Sequence, residues 1–132
     1  MLTRQVDVVF RDGVTTAFVS SHQYPNNPGH VLVVPNEHFE NLYELPDRLG
    51  AAVHATSRLA ALALKSAYGC DGVSTRQHNE PAGHQDVWHY HQHVLPRYAG
   101  DALYGATSSP MALEERAAFA ERLRAAWPNE AG

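Results

Sequence analysis

An α+β fold follows from three features of this sequence. It has several short apolar runs of strand length and two segments of helical spacing kept apart from them, and it lacks the strand-helix alternation that builds a parallel sheet. The first strand is read over Val6-Asp7-Val8-Val9-Phe10 and the second over Val14 to Val19, joined at Asp12-Gly13, a dipeptide suited to the positive φ angles of a tight hairpin. Ser20 to Gly29, with Pro25-Asn26-Asn27-Pro28 inside it, is a loop of turn formers. His30-Val31-Leu32-Val33-Val34 is apolar enough for a buried third strand, ended by Pro35. From about Pro46 to Tyr68, residues Leu49, Ala52, Val53, Ala60, Ala63 and Ala67 recur at helical spacing. Asp47 stands near the positive end of that helix and Gly69 just past its last turn, and the alanines predict close packing onto a sheet. Gly72 to Gln77 reads as the fourth strand, Asn79 to Asp86 as a loop, and the histidine-rich segment that follows as the fifth strand, stopped by Pro96. After a loop from Arg97 to Ser109, Ser109-Pro110 predicts a helix start and Met111 to Trp127 a second helix. With 132 residues and no repeat or low-complexity linker, the chain is read as one domain over 1–132.

Composition narrows the classes of function. A formal charge of −4, with no basic run beside the aromatics, offers no general attraction for nucleic acid. Cys70 stands alone, so no internal disulfide framework is expected. Met1-Leu2-Thr3-Arg4 leads into no apolar stretch of signal-peptide or membrane-span length. A reduced, cytoplasmic protein is the expectation.

The most informative segment is His89-Tyr90-His91-Gln92-His93, three of nine histidines at alternating positions. On an extended strand, residues i, i+2 and i+4 share a face, so three imidazoles would crowd into one patch. Three chemistries can use such a patch. A zinc ion could take two or three of the rings as ligands, a neutral imidazole could attack phosphorus to form a phosphoramidate that water cleaves, or the rings could bind a nucleotide without turning it over. Spacing by itself puts zinc first, because histidine is the commonest metal ligand. His22, His38, His54 and His78, each taken singly, carry no pattern and read as structural or solvent-facing.

The surroundings reorder these choices. His89-Tyr90-His91-Gln92-His93-Val94-Leu95 resembles the signature of the histidine triad superfamily, in which histidines alternate with apolar residues and two more apolar residues follow; Gln92 departs from it. Pro28-Gly29-His30-Val31-Leu32-Val33-Val34-Pro35 is similar to the superfamily's upstream strand, and Asn79-Glu80 with Gln85 to its phosphate-side loop. His93-Val94-Leu95-Pro96-Arg97, continuing through Ala99-Gly100-Asp101, is especially similar to the fragile histidine triad branch. The likeness runs over residues 6 to 101.

This resemblance implies a five-stranded antiparallel sheet with two main helices, doubled by a homodimer into a continuous larger sheet. It implies a hydrolase or nucleotidyl transferase acting at the α-phosphate of nucleoside phosphate conjugates, such as dinucleoside polyphosphates or nucleoside phosphoramidates, without metal or cofactor. His91 would be the nucleophile, His93 would contact the phosphate and help proton traffic, and His89 with His30 would orient the cluster. Asn79 and Gln85 would add neutral donors, Arg97 would draw an anion, and His22 falls where the family commonly binds the ribose. Elementary chemistry agrees with this division. A nucleophilic imidazole must be neutral with its distal nitrogen hydrogen-bonded, and flanking imidazoles raise the cost of protonating it.

Departures matter as well. His84-Gln85-Asp86 stands where the family has Gly-Gln-Ser/Thr, replacing a small hydroxyl with a carboxylate. Asp86 must turn away from an anionic phosphate, carry a proton, or engage a basic leaving group such as that of an amine-linked nucleotide. The Cys-x-x-Cys pair of some bacterial relatives is absent, so the accessory structural zinc is not expected and His38 loses its strongest functional reading. Tyr68, Trp88, Tyr98, Tyr104 and Trp127 could furnish core, interface or base-stacking surface.

Overall fold

The computed structural model describes residues 5–129. Its strands are β1 (Val8–Arg11), β2 (Thr15–Val19), β3 (His22–Gln23), β4 (Val31–Pro35), β5 (Gly72–Arg76), β6 (Gln92–Arg97) and β7 (Ser109–Pro110), with helices α1 (Asp47–Tyr68) and α2 (Leu113–Ala126). β1, β2, β4, β6 and β5 pair in that order into a five-stranded antiparallel sheet, and β3 pairs with β7 as a separate ribbon. The fold is therefore α+β with a five-stranded antiparallel sheet and two helices, as the strand-length runs and helical spacing predict.

Helix α1 begins after Pro46, which is extended at φ −63° and ψ 148°, and carries Asp47 in its first turn. It stops at Gly69, whose left-handed φ of 59° lets its N–H reach the Lys65 carbonyl at 3.0 Å. The face presenting Leu49, Val53, Ala60, Ala63 and Leu64 is buried and packs across β2, β4 and β6. Small alanines bring the helix close to the sheet, and a buried hydroxyl pair, Thr15 Oγ1 to Thr56 Oγ1 at 2.6 Å, pins it to β2. Helix α2 covers the flank of α1 and β1 through buried Ala120 and Leu123.

Five local expectations are corrected. Val6 and Asp7 belong to a 3-10 turn over Gln5–Asp7, where the buried Asp7 carboxylate lies 3.5 Å from Arg116 Nε on α2. The turn at Asp12-Gly13 uses no positive φ at Gly13; Asp12 Oδ1 instead accepts the Val14 and Thr15 N–H groups at 2.8 Å. Ser109-Pro110 starts no helix, because those residues pair with His22–Gln23 and Met111 N–H then donates to the Ser21 carbonyl at 3.0 Å, so α2 begins only at Leu113. Pro96 does not stop the last strand of the sheet. β4 ends its pairing at Val31↔Val94, so the proline's missing N–H falls where no ladder partner is needed, and its carbonyl accepts Asn27 Nδ2 at 2.9 Å.

The fifth correction shapes the site. The histidine strand starts at Gln92, so His93 alone of the three histidines lies in it. Pro35 is the physical cause. It offers no N–H to extend the β4–β6 ladder beyond Val33↔Gln92, and residues 88–91 leave the sheet.

Gly29 precedes His30 with a φ of 111°, and a Cβ there would stand 3.0 Å from Tyr68 Cε2 and 3.2 Å from Leu64 Cδ2. Gly29→Ala is expected to destabilise the fold by about 3 kcal/mol, from strain and overpacking together. Gly13→Ala, with nothing within 4 Å of the new methyl, should stay within about 0.5 kcal/mol of the parent in urea denaturation.

Candidate active site

The imidazoles gather where β4, β6 and the 84–91 segment meet. Leu32 pairs with His93 across β4 and β6, which sets His30 at the entry of β4 beside it, His30 Nε2 to His93 Nδ1 at 2.8 Å. His30 is held there by Gln23, a buried side chain that sequence reading passed over. Its Oε1 accepts the Gly29 and His30 N–H groups at 2.9 and 3.0 Å, and its Nε2 donates to the Ser20 and His30 carbonyls at 2.9 and 3.1 Å.

His91 stands beside this pair, its ring centroid 4.9 Å from that of His93. Only 3% exposed, its Nδ1 lies 2.8 Å from the His89 carbonyl. A carbonyl can only accept, so Nδ1 carries the proton and, in the neutral ring, Nε2 holds the lone pair. That nitrogen faces a cleft of about 360 Å3, within the range of small-molecule sites. Asp86 Oδ1 lies 3.6 Å from it, on a side chain 80% exposed.

Burial decides the charge state of the inner pair. It holds His30 at about 3, well below the ordinary histidine value of 6.5, with the Arg76 charge adding to the effect and the His22 backbone opposing it. His93 is pushed to about 2 by burial first and then by His30, His91, Arg76 and His78. Both rings are therefore neutral near pH 7, and two neutral imidazoles sharing one proton form a polar, uncharged floor.

Of the nine residues singled out from the sequence, five line the cleft: His22, His30, Asp86, His91 and His93. The other four lie elsewhere. The His89 ring turns to the end of β4, Nε2 to the Pro35 carbonyl at 2.9 Å and Nδ1 to His38 Nδ1 at 3.2 Å, and borders a separate groove beside Arg11 and Asn36. The three triplet imidazoles thus do not share one patch, and among the described residues no group of three His, Cys, Asp or Glu is placed to hold a metal ion. Gln85 is buried with its amide committed to the backbone: Nε2 donates to the Glu40 and Val87 carbonyls at 2.6 and 3.0 Å, and Oε1 accepts the Glu80 N–H at 2.7 Å. Asn79 is likewise engaged, by the Leu42 N–H and the Gln77 amide, each at 2.8 Å. Arg97 is bidentate to Asp101 at 2.6 and 2.9 Å, donates to Ser74 Oγ at 2.9 Å, and lies over the Tyr104 ring.

The remaining wall was not legible in the sequence. Ser20, Ser21, Tyr24 and Ser108 supply hydroxyl groups, with Leu32 and Val87 as apolar patches. Ser108 arrives because the β3–β7 ribbon ties the loop before β7 to His22. His78, read as an ordinary histidine, stacks edge-on against His93 at 5.6 Å and against His84 at 6.2 Å. His84 itself keeps a left-handed backbone at φ 71° that favours glycine.

Comparison with known proteins adds a family. The model of the HIT domain family matches residues 3–100. Protein hit of Bacillus subtilis is 35% identical over 99 residues, covering 74% of this chain and 66% of that protein. Adenylylsulfatase HINT3 of Arabidopsis thaliana is 32% identical over 64% of this chain, and AP-4-A phosphorylase of Mycobacterium tuberculosis 35% identical over 60% of it. The match spans 43% and 41% of those two proteins, less than half their length. The crystal structure of a Hit-like protein from Bartonella henselae aligns with a TM-score of 0.82 at 31% identity, covering 91% of this chain and 85% of that one.

The neutral His30–His93 pair makes stability depend on pH. Both folded values lie below the unfolded value of 6.5, so the unfolded chain binds more protons as pH falls. Their contribution is full above about pH 6.5 and is lost progressively as pH drops toward 3. Acidifying from pH 7 to 5 is expected to cost on the order of 2 kcal/mol per ring in urea denaturation. His93→Asn should flatten that slope; an unchanged slope would place its origin elsewhere.

Proposed function

This chain belongs to the HIT domain family, and from that premise we propose that it is a hydrolase or nucleotidyl transferase that cleaves nucleoside phosphate conjugates at the α-phosphate. The observation that carries the reading is the hydrogen bond from His91 Nδ1 to the His89 carbonyl, which leaves Nε2 as a lone pair facing the cleft. Two relatives, an adenylylsulfatase and an AP-4-A phosphorylase, support the reaction class.

In the proposed reaction Nε2 attacks phosphorus and the bond to the leaving group breaks, its electron pair departing with a proton drawn from the surrounding imidazoles or solvent. Positive charge grows on the His91 ring. Its Nδ1–H points at the His89 carbonyl, whose oxygen stabilises that charge without taking the proton. The product of the first step is a nucleotidyl-His91 phosphoramidate. Water then attacks phosphorus, the P–N bond breaks, and the nucleoside monophosphate leaves with His91 neutral again.

His93, kept neutral by burial and paired to His30, sits beside that nitrogen and is assigned the phosphate contact. His89 orients His91 through its main-chain oxygen, while its ring serves the end of β4. Gln85 and Asn79 are read as holding the loop that carries Asp86, and His22 as the residue at the sugar end. Because Arg97 is neutralised by Asp101, no role in drawing the anion is assigned to it.

We place the protein near the fragile histidine triad branch on its His93–Asp101 segment, as one domain acting in the cytoplasm as a homodimer and without a metal. The free, buried Cys70 fits a reducing compartment, and exposed Leu42, Tyr43, Leu62 and Trp88 offer apolar surface for a second copy. Among the described residues no helix is long and apolar enough to cross a membrane. A zinc hydrolase built on the triplet is disfavoured because the His89 ring faces away from the other two.

Brief reaction with an adenylyl conjugate labelled at the α-phosphate is expected to leave acid-labile, alkali-stable label on wild-type protein. His91→Ala should carry none and lose at least about a thousandfold in kcat, and prior chelation should change neither result. Nucleotide binding without turnover would instead identify a sensor, and loss of activity on chelation a metal enzyme.

A further inference from the structure

Resting on the reading of His91 as nucleophile, we propose that Asp86 selects substrates by charge. It admits nucleoside conjugates in which a single phosphate is joined to an uncharged or amine-bearing leaving group, and it disfavours polyphosphates. Asp86 Oδ1 lies 3.6 Å from His91 Nε2. Reacting atoms stand roughly 3–3.5 Å apart before bond formation, so the carboxylate holds the space that phosphorus must enter. It can yield, being 80% exposed. It cannot go far, because its neighbour Gln85 is stapled to the Glu40, Glu80 and Val87 backbone and Val87 itself lines the cleft.

Among the described residues no lysine or arginine lines the cleft, whose polar surface beside Asp86 is hydroxyl groups and imidazoles. Arg76 is not among the lining residues; it donates to the neutral Tyr24 Oη at 3.1 Å and its charge acts on the cleft through His30 and His93, while Arg97 is paired with Asp101. Burial keeps His30 and His93 from supplying a cation near neutral pH.

A polyphosphate brings one further negative charge with each phosphate into this wall. At 4 to 6 Å from an exposed carboxylate, each costs about three- to sixfold in affinity at low salt. Ionic strength weakens the effect. A protonated amine on the leaving group reverses its sign.

The test separates binding from turnover. Affinities for AMP, ADP and ATP, without divalent ions and at low salt, are measured by calorimetry on wild type, Asp86→Asn and Asp86→Ser. Wild type should weaken by about three- to sixfold at each step from AMP to ATP, and both variants should level the series, with ATP gaining most. Steps of equal size in wild type and variants overturn the proposal. So does an equal loss for all three nucleotides, which marks a merely structural loop residue. In parallel, the kcat/KM ratio of an adenosine phosphoramidate with an aminoalkyl leaving group to diadenosine tetraphosphate should fall at least about tenfold in Asp86→Asn. An unchanged ratio overturns the proposal. Absence of turnover on both substrates overturns the nucleophile reading alone, while the binding series still judges Asp86.

Discussion

The site depends on where one hydrogen-bond ladder stops. Pro35 has no N–H to offer β6, so pairing ends at Val33↔Gln92 and the chain before Gln92 is free to leave the sheet. The proline's carbonyl still needs a donor, and the His89 ring supplies it. With that ring drawn outward, the His89 main-chain oxygen turns toward His91 and fixes its tautomer. Had the ladder run on through residue 89, all three imidazoles would point one way and none would have a carbonyl behind it.

Around that break the protein spends its polar groups on position. Gln23 satisfies four backbone groups and sets His30, and Gln85 satisfies three and sets the loop carrying Asp86. Buried amides of this kind are costly when unpaired and rigid when fully paired, which suits them to holding a reactive ring in one place. Alanines on α1 and valines on β4 press helix and sheet together beneath the cleft, so that framework has little room to shift. Among the described residues, positive φ at non-glycine positions is confined to Glu80 and His84, at φ 64° and 71°, on the loop that brings Asp86 to His91.

Electrostatically the cleft is unusual for one assigned to a phosphate. Its inner imidazoles are neutral because they are buried, Arg97 is paired with Asp101, Arg76 acts on those imidazoles without lining the cleft, and among the described lining residues the carboxylate is Asp86. Neutral donors can follow charge as it develops on a phosphoryl group without first binding the ground state tightly.

Much of this was written in local patterns. Hydrophobic periodicity determined the five strands of the main sheet, the two helices and their order, Gly69 the end of α1, and the alternating histidines with His30 upstream the family, because each depends only on residues near in the chain. What the tertiary structure alone decided was direction. Asn79, Gln85 and Arg97 found partners inside the protein, the His89 ring found Pro35, and Ser108 and Gln23 joined the site from other elements. A side chain points where an unsatisfied donor or acceptor lies within reach, and that atom is supplied by whichever distant segment the fold brings alongside.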